Sequence, residues 1–181
     1  MNSPHPANVY IGVDGGGTQT RAVAYDSAGA LLGSGSASGS NPHNIGFPKA
    51  AHSIANAILG AAVPLDARAH LCLGIAGVTT QAHRDALRQQ LLAELPPLQQ
   101  AHLTLTHDLE IAHYAAFQSQ PGIVLVAGTG SACFAIDAAG TTYRASGRDF
   151  HYEDPGSGYA IGRRAIDSKL MAPADSRESI A

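Results

Sequence analysis

The same local order of signals occurs twice along this 181-residue chain: an apolar strand, a tight glycine–threonine turn, a second strand, an Asp-x-x-Gly turn and a third strand. The first copy places strands over about 9–14, 20–26 and 30–36, with Asp26-Ser27-Ala28-Gly29 as the second turn. The other places them over 123–127, 132–137 and 141–146, joined by Gly128-Thr129-Gly130-Ser131 and by Asp137-Ala138-Ala139-Gly140. Two β-meanders of one pattern point to two similar domains facing each other across a cleft.

After its meander the first copy continues as alternating helix and strand. A helix is expected near 48–62, with Ile54, Ala55, Ile58, Leu59 and Ala62 on one stripe. A short buried strand follows at 70–76, then a helix over 80–95 that turns Leu87, Leu91 and Leu95 inward and stops at Pro96-Pro97. A strand at 103–106 and a helix at 109–119 complete the series. Ser34 to Ser40 is small and polar and reads as a loop delivering Asn41-Pro42-His43-Asn44. After the other meander only one helix is expected, at about 157–167. The predicted organisation is a disordered start (1–8), a first domain (9–120), an incomplete second domain (121–167) and a tail (168–181). The fold class is α/β, a β-meander followed by β-α-β-α-β-α, with the start of a second similar domain.

Composition narrows the function classes. Hydrophobic residues make up 45% and charged residues 14%, so a packed core is expected. The net charge is −3 and the only basic pair is Arg163-Arg164, which argues against a nucleic-acid partner. No apolar run approaches the roughly 20 residues that span a bilayer, and the start Met-Asn-Ser-Pro-His-Pro-Ala-Asn does not read as a signal peptide. Cys72 and Cys133 lie in apolar runs and read as small buried hydrophobes, so a cytoplasmic protein without disulfides or membrane contact is expected. The nine histidines are scattered without metal-site spacing.

The first glycine turn carries the clearest chemistry. Gly15, Gly16 and Gly17 have no Cβ, so the turn can take positive φ and its amides can converge on an anion. Thr18 and Thr20 add hydroxyl donors, and the Asp14 carboxylate could hold a phosphate-bound magnesium through water. Such a turn is also how an ordinary hairpin closes. The turn Gly128-Thr129-Gly130 repeats the logic, and two opposed turns could grip the β- and γ-phosphates of a nucleotide from both sides. Phosphoryl transfer to a hydroxyl needs a base. Asp108 follows a strand and opens a helix, which puts it at the carboxyl edge of the sheet where open α/β sheets bind ligands; it could equally serve as a helix cap. Its neighbours His107 and Glu110 are given no role. Asn41 could donate to one sugar oxygen and accept from another, or be a turn residue. Asp154 could bind hydroxyls or an ammonium, or simply precede a helix start.

Together these residues resemble the BadF/BadG/BcrA/BcrD ATPase family, of the ribonuclease H-like actin/hexokinase/Hsp70 superfold, and within it the glucosamine and N-acetylglucosamine kinases. Four segments carry the resemblance: Gly-Val-Asp-Gly-Gly-Gly-Thr (12–18), Thr-His-Asp (106–108), Ala-Gly-Thr-Gly-Ser (127–131) and Gly-Arg-Asp-Phe…Asp-Pro-Gly-Ser-Gly (147–158). It implies ATP and Mg2+ as cofactors, Asp14 ordering the metal, and Thr18 and Thr129 on the phosphates. It further implies Asn41, Asp108 and Asp154 on the sugar, with Asp108 also the base, and transfer to the 6-position. The Gly-Arg-Asp-Phe form looks more like glucosamine kinases than the Gly-Gly-Trp-Gly of many N-acetylglucosamine kinases, and Asp149 would suit a cationic 2-amino group.

Such kinases run to roughly 300 residues, two domains of ordinary size. The glycine-rich segment that holds adenosine in them is not found here, so an isolated chain could bind nucleotide weakly or fail to turn over. Exposed apolar sheet surface would favour a homodimer. Two other readings stay open: an ATPase activator of a CoA-ester dehydratase or reductase, which would need cysteines for an iron–sulfur cluster, and a non-catalytic sugar- or nucleotide-binding module.

Overall fold

Strand β1 (Val9–Gly15) alternates buried and exposed residues without a break, the period-two pattern of a strand covered on one face. A computed structural model describes residues 8–128, 130–147 and 154–170. The expectations for residues 1–7, for Thr129 and Asp149, and for the tail beyond 170 lie outside the described residues. The chain divides into two units, Met1–Ala112 and His113–Ala181.

In the first unit β1 lies at the centre of a five-stranded sheet of order β3-β2-β1-β4-β5. On one side it pairs antiparallel with β2 (Gln19–Asp26), which pairs with β3 (Leu31–Ser38). On the other it pairs parallel with β4 (Ala69–Ile75), and β4 pairs parallel with β5 (His102–Thr106). The crossovers are helices: α1 (Pro42–Ile45) and α2 (Phe47–Gly60) between β3 and β4, then α3 (Gln81–Glu94) and a 3₁₀ turn (Pro96–Gln99) before β5. Helix α4 (Asp108–Phe117) follows β5 directly. Thr80 caps α3, its hydroxyl accepting the His83 amide at 3.2 Å.

One face of this sheet carries Ile11, Val13, Leu71, Leu73 and Ile75, which form a single buried cluster with Ile54 and Ile58 of α2 and Leu87 and Leu91 of α3. The small residues read as a loop from Ser34 are instead largely strand, since β3 runs to Ser38. Their size has a packing reason. A Cβ on Gly33 would collide with the Ala61 carbonyl, and one on Gly35 with the backbone of Ala57 and Gly60, so the end of α2 lies directly on β3. Cys72 is also not buried: it alternates with Leu71 and Leu73 and points to the opposite, exposed face. Partial loss of solvent between the flanking strands still pushes its thiol pKa up.

The second unit holds a three-stranded antiparallel sheet of order β6-β7-β8, made of Gly122–Ala127, Ser131–Ile136 and Thr142–Ser146. Helix α5 (Gly158–Leu170) extends past the expected 167. Phe134 is buried, with the His113 ring edge-on at 5.5 Å and the Arg144 guanidinium 5.9 Å from its centroid. No helix among the described residues is long and apolar enough to cross a membrane.

Candidate active site

The parallel register aligns Asp14 of β1 with Gly74 of β4 and Gly74 with Thr106 of β5, while Arg21 of β2 lies opposite Asp14. All four therefore share one row at the carboxyl end of the parallel strands, and Asp108 stands two residues beyond Thr106. Gly74 has no side chain because Ile111 of α4 occupies that space; a Cβ there would run into it. The helix that begins at Asp108 thus seats on the sheet in this row.

The Asp14 carboxyl feels both its burial and the charges around it. Partial burial is the main cause raising the Asp14 carboxyl pKa, the Asp108 charge adds to it, and Arg21 opposes both. The Asp14 residue as a whole remains exposed. Asp108 is the first residue of α4 rather than the residue before it. Its Oδ1 accepts the Leu109 amide at 2.8 Å, so Oδ2 is the unspent oxygen among the described residues. His107, 6% exposed, places Nδ1 2.6 Å from the same Oδ1. The Leu109 amide donates to that nitrogen at 3.2 Å as well, so Asp108 Oδ1 and His107 Nδ1 share this one backbone donor. Glu110 in turn accepts the Thr106 hydroxyl.

The first glycine turn differs from its expected form. None of Gly15, Gly16 and Gly17 has positive φ; close approach requires their smallness instead. A Cβ on Gly15 would press into Ser40 Oγ and come 2.6 Å from Ile75 Cδ1. The Gly16 amide is not free either, since it donates to the Gln19 carbonyl at 2.9 Å. The amides of Gly17 and Thr18 remain without a protein partner among the described residues, on exposed positions. Thr20 is withdrawn from any ligand: it is fully buried, with its hydroxyl 2.8 Å from both the Ser38 carbonyl and Ser40 Oγ.

The loop after β3 closes against this turn. The Ser40 amide donates to the Gly16 carbonyl at 2.9 Å, and a Cβ on Gly39 would strike the Gly17 carbonyl. This contact brings Asn41 and Asn44 to the turn, with Asn44 Nδ2 3.6 Å from where a Gly17 Cβ would stand. Asn41 is half-committed. Its Oδ1 caps α1 by accepting the His43 amide at 3.0 Å, so Nδ2 is the group left to donate.

In the second unit Asp154 is 7% exposed and both its oxygens are engaged. Oδ2 accepts the Ser131 amide at 3.0 Å and Oδ1 the Gly147 amide at 2.9 Å. The Ser131 hydroxyl donates to the Pro155 carbonyl at 3.0 Å, and the Gly158 amide to the Gly128 carbonyl at 2.7 Å. The turn through Gly128 and Gly130 is therefore buckled to the Asp154–Gly158 segment, and a hydroxyl on Asp154 would be a third partner.

The arrangement of strands, glycine turns and acidic strand ends has relatives. Residues 11–179 match the BadF/BadG/BcrA/BcrD ATPase family. The chain belongs to that family. As a family member it is 34% identical over 171 residues to a glucosamine kinase of Vibrio cholerae, covering 91% of this chain and 55% of that protein. With an N-acetyl-D-glucosamine kinase of Dictyostelium discoideum it shares 28% over 184 residues, 91% of this chain and 54% of the other. The fold is similar, with a TM-score of 0.73 and 28% identity, to the crystal structure of a Chromobacterium violaceum protein assigned as an N-acetylglucosamine kinase. That match covers 96% of this chain and 60% of the other. The fold is thus the mixed α/β actin/hexokinase type, and the chain spans about half the length of the curated relatives it matches.

Sequence reasoning passed over His107, Asn44 and Gly39. Adjacency to Asp108 was the one signal for His107. The other two are brought to the turn by a chain reversal that no local pattern announces.

Proposed function

We propose that this family member takes part in ATP-dependent phosphorylation of an amino sugar, glucosamine before N-acetylglucosamine, at the 6-hydroxyl. The observation that carries this reading is Asp14 in the strand row that ends at Thr106, two residues before Asp108, beside a glycine turn holding two unspent amides. Asp108 would accept the hydroxyl proton on Oδ2, with the Leu109 amide holding the carboxylate through Oδ1. Asn41 Nδ2 would donate to a ring hydroxyl. Asp154 and Asp149 belong to the same reading as sugar ligands, Asp149 by the charge it would offer a cationic 2-amino group.

The Gly17 and Thr18 amides and the Thr18 hydroxyl fit phosphate oxygens, with Gly128, Thr129 and Gly130 as the second set. The Asp14 carboxylate stands at the carboxyl end of β1, partly buried and exposed to the Asp108 charge, so Asp14 fits magnesium held through water. Magnesium would neutralise charge on the phosphates. The kinase similarity supports sugar and ATP as substrates. A cytoplasmic location and a homodimer, joined through exposed apolar strands such as β6, belong to the same reading.

The test is ADP release by the 181-residue chain with Mg·ATP and glucosamine, beside Asp108→Asn. Turnover lost by about 10²-fold or more in the variant supports Asp108 as base. A higher kcat/KM for N-acetylglucosamine overturns the glucosamine preference. Sugar binding without turnover would make the described residues a substrate-side module.

A further inference from the structure

The α1 turn that carries Asn41 is held to a distant loop by a side chain that the proposed chemistry does not use. His43 places Nε2 2.9 Å from the carbonyl oxygen of Gly77, in the loop after β4 and 34 residues away in sequence. A carbonyl can only accept, so Nε2 carries the hydrogen and donates. Gly77 adopts φ +82°, and a Cβ there would strike Asn41 Oδ1 and stand 2.7 Å from His43 Cδ2. The His83 ring of α3 meets His43 edge-on at 5.1 Å, with Phe47 6.1 Å from His83. Asn41, His43 and Gly77 are thus interlocked: Asn41 Oδ1 accepts the His43 amide, the His43 ring donates to Gly77, and the bare Gly77 Cα leaves room for Asn41.

We propose that His43 is a positioning residue for Asn41, clamping the α1 turn onto the Gly77 loop and so fixing where Asn41 Nδ2 donates. The inference rests on the amino-sugar reading, in which Asn41 binds the sugar. His43 is exposed, so its bond adds little to global stability; its effect is local, because the Asn41 cap moves with the His43 backbone. The bond works with either a neutral or a protonated ring, since Nε2 donates in both.

Calorimetric titration of wild type, His43→Ala, His43→Gln and Asn41→Ala with glucosamine, and separately with Mg·ATP, tests this. His43→Ala is expected to weaken sugar binding about tenfold and change ATP binding by less than about twofold. The Gln variant, whose side-chain amide can reach the same carbonyl, should recover sugar affinity to within about threefold. Hydrogen exchange should quicken in the Ala variant, and not in the Gln variant, at the amides of Asn44, Gly46 and Thr79, which bond Asn41, Pro42 and Gly77.

Unchanged sugar affinity in His43→Ala, while Asn41→Ala loses it, overturns the positioning role alone. Sugar binding, ATP binding and Tm falling together in His43→Ala also overturn it, in favour of a plain structural contact. A wild-type chain that binds no amino sugar overturns the amino-sugar reading and this inference with it; the exchange data then report separately whether the clamp exists.

Discussion

β1 and β6 open the same meander in the two units and fare very differently. Ile11 and Val13 of β1 are each 2% exposed, whereas Ile123 and Leu125 of β6 are 68% and 71% exposed. The local devices around them are nearly the same. Asp26 Oδ1 accepts the amides of Ala28 and Ala30 at 2.8 Å, and Asp137 Oδ1 those of Ala139 and Thr141 at 2.9 Å. Gly29 and Gly140 close those turns at φ +81° and +80°. Turn chemistry is thus repeated from local sequence, while burial is not. Burial comes from α2, α3 and β4, which reach β1 by crossovers, and the described residues of the second unit hold no such crossover.

The largest expected effect breaks this contrast directly. Ile11→Ala should cost about 2–5 kcal/mol in urea unfolding through cavity formation. Ile123→Ala, on a strand exposed in the single chain, should stay within about 0.5 kcal/mol at concentrations where the chain is monomeric. A loss that grows as protein concentration rises is what the proposed dimer through β6 requires. Next come the two glycine turns. Gly15→Ala must push aside Ser40 and Ile75 and should cost about 1–3 kcal/mol. A Cβ on Gly128 meets nothing within 4 Å, so Gly128→Ala should leave Tm nearly unchanged.

The smallest effects are opposite in sign. The Asp14 pKa is raised, so the folded state holds the proton more tightly, and the stability this gives is lost as pH rises through the folded value. Asp14→Asn should therefore stabilise slightly at neutral pH, with the gain fading in acid. The Asp137 pKa is lowered, first by the Thr141 amide and then by the Tyr143 hydroxyl. Its contribution is present at neutral pH and lost below the ordinary carboxylate range, so Asp137→Asn should lower Tm at neutral pH and not in strong acid.

The strands and long helices were legible because their apolar residues repeat at the period of the element, as Leu87 and Leu91 do in α3. The Asp-x-x-Gly turns were legible because an Asp oxygen and a left-handed glycine are needed within four residues. What stayed hidden depends on register and close approach. Gly35 reads as part of a small-residue loop, and Gly33 as an ordinary strand residue, until α2 is seen to lie on them. His70 and His102 are scattered in sequence, yet parallel pairing stacks their rings at 4.5 Å, with Tyr10 stacked on His70 at 5.2 Å. The acid pair Asp14 and Asp108 could be guessed from strand ends. That Asn41 spends its oxygen on a helix cap, and Thr20 its hydroxyl in the core, could not.

The fit of Ile111 over Gly74 makes hydrocarbon volume an aiming device. Asp108 and Ile111 are separated by one helical turn, so the height at which that side chain rests on the sheet sets the tilt of the carboxylate above it. Trimming or enlarging residue 111 would re-aim the proposed base without touching a polar atom. Where an oxygen points can thus be tuned, in small steps, by the bulk of a greasy neighbour.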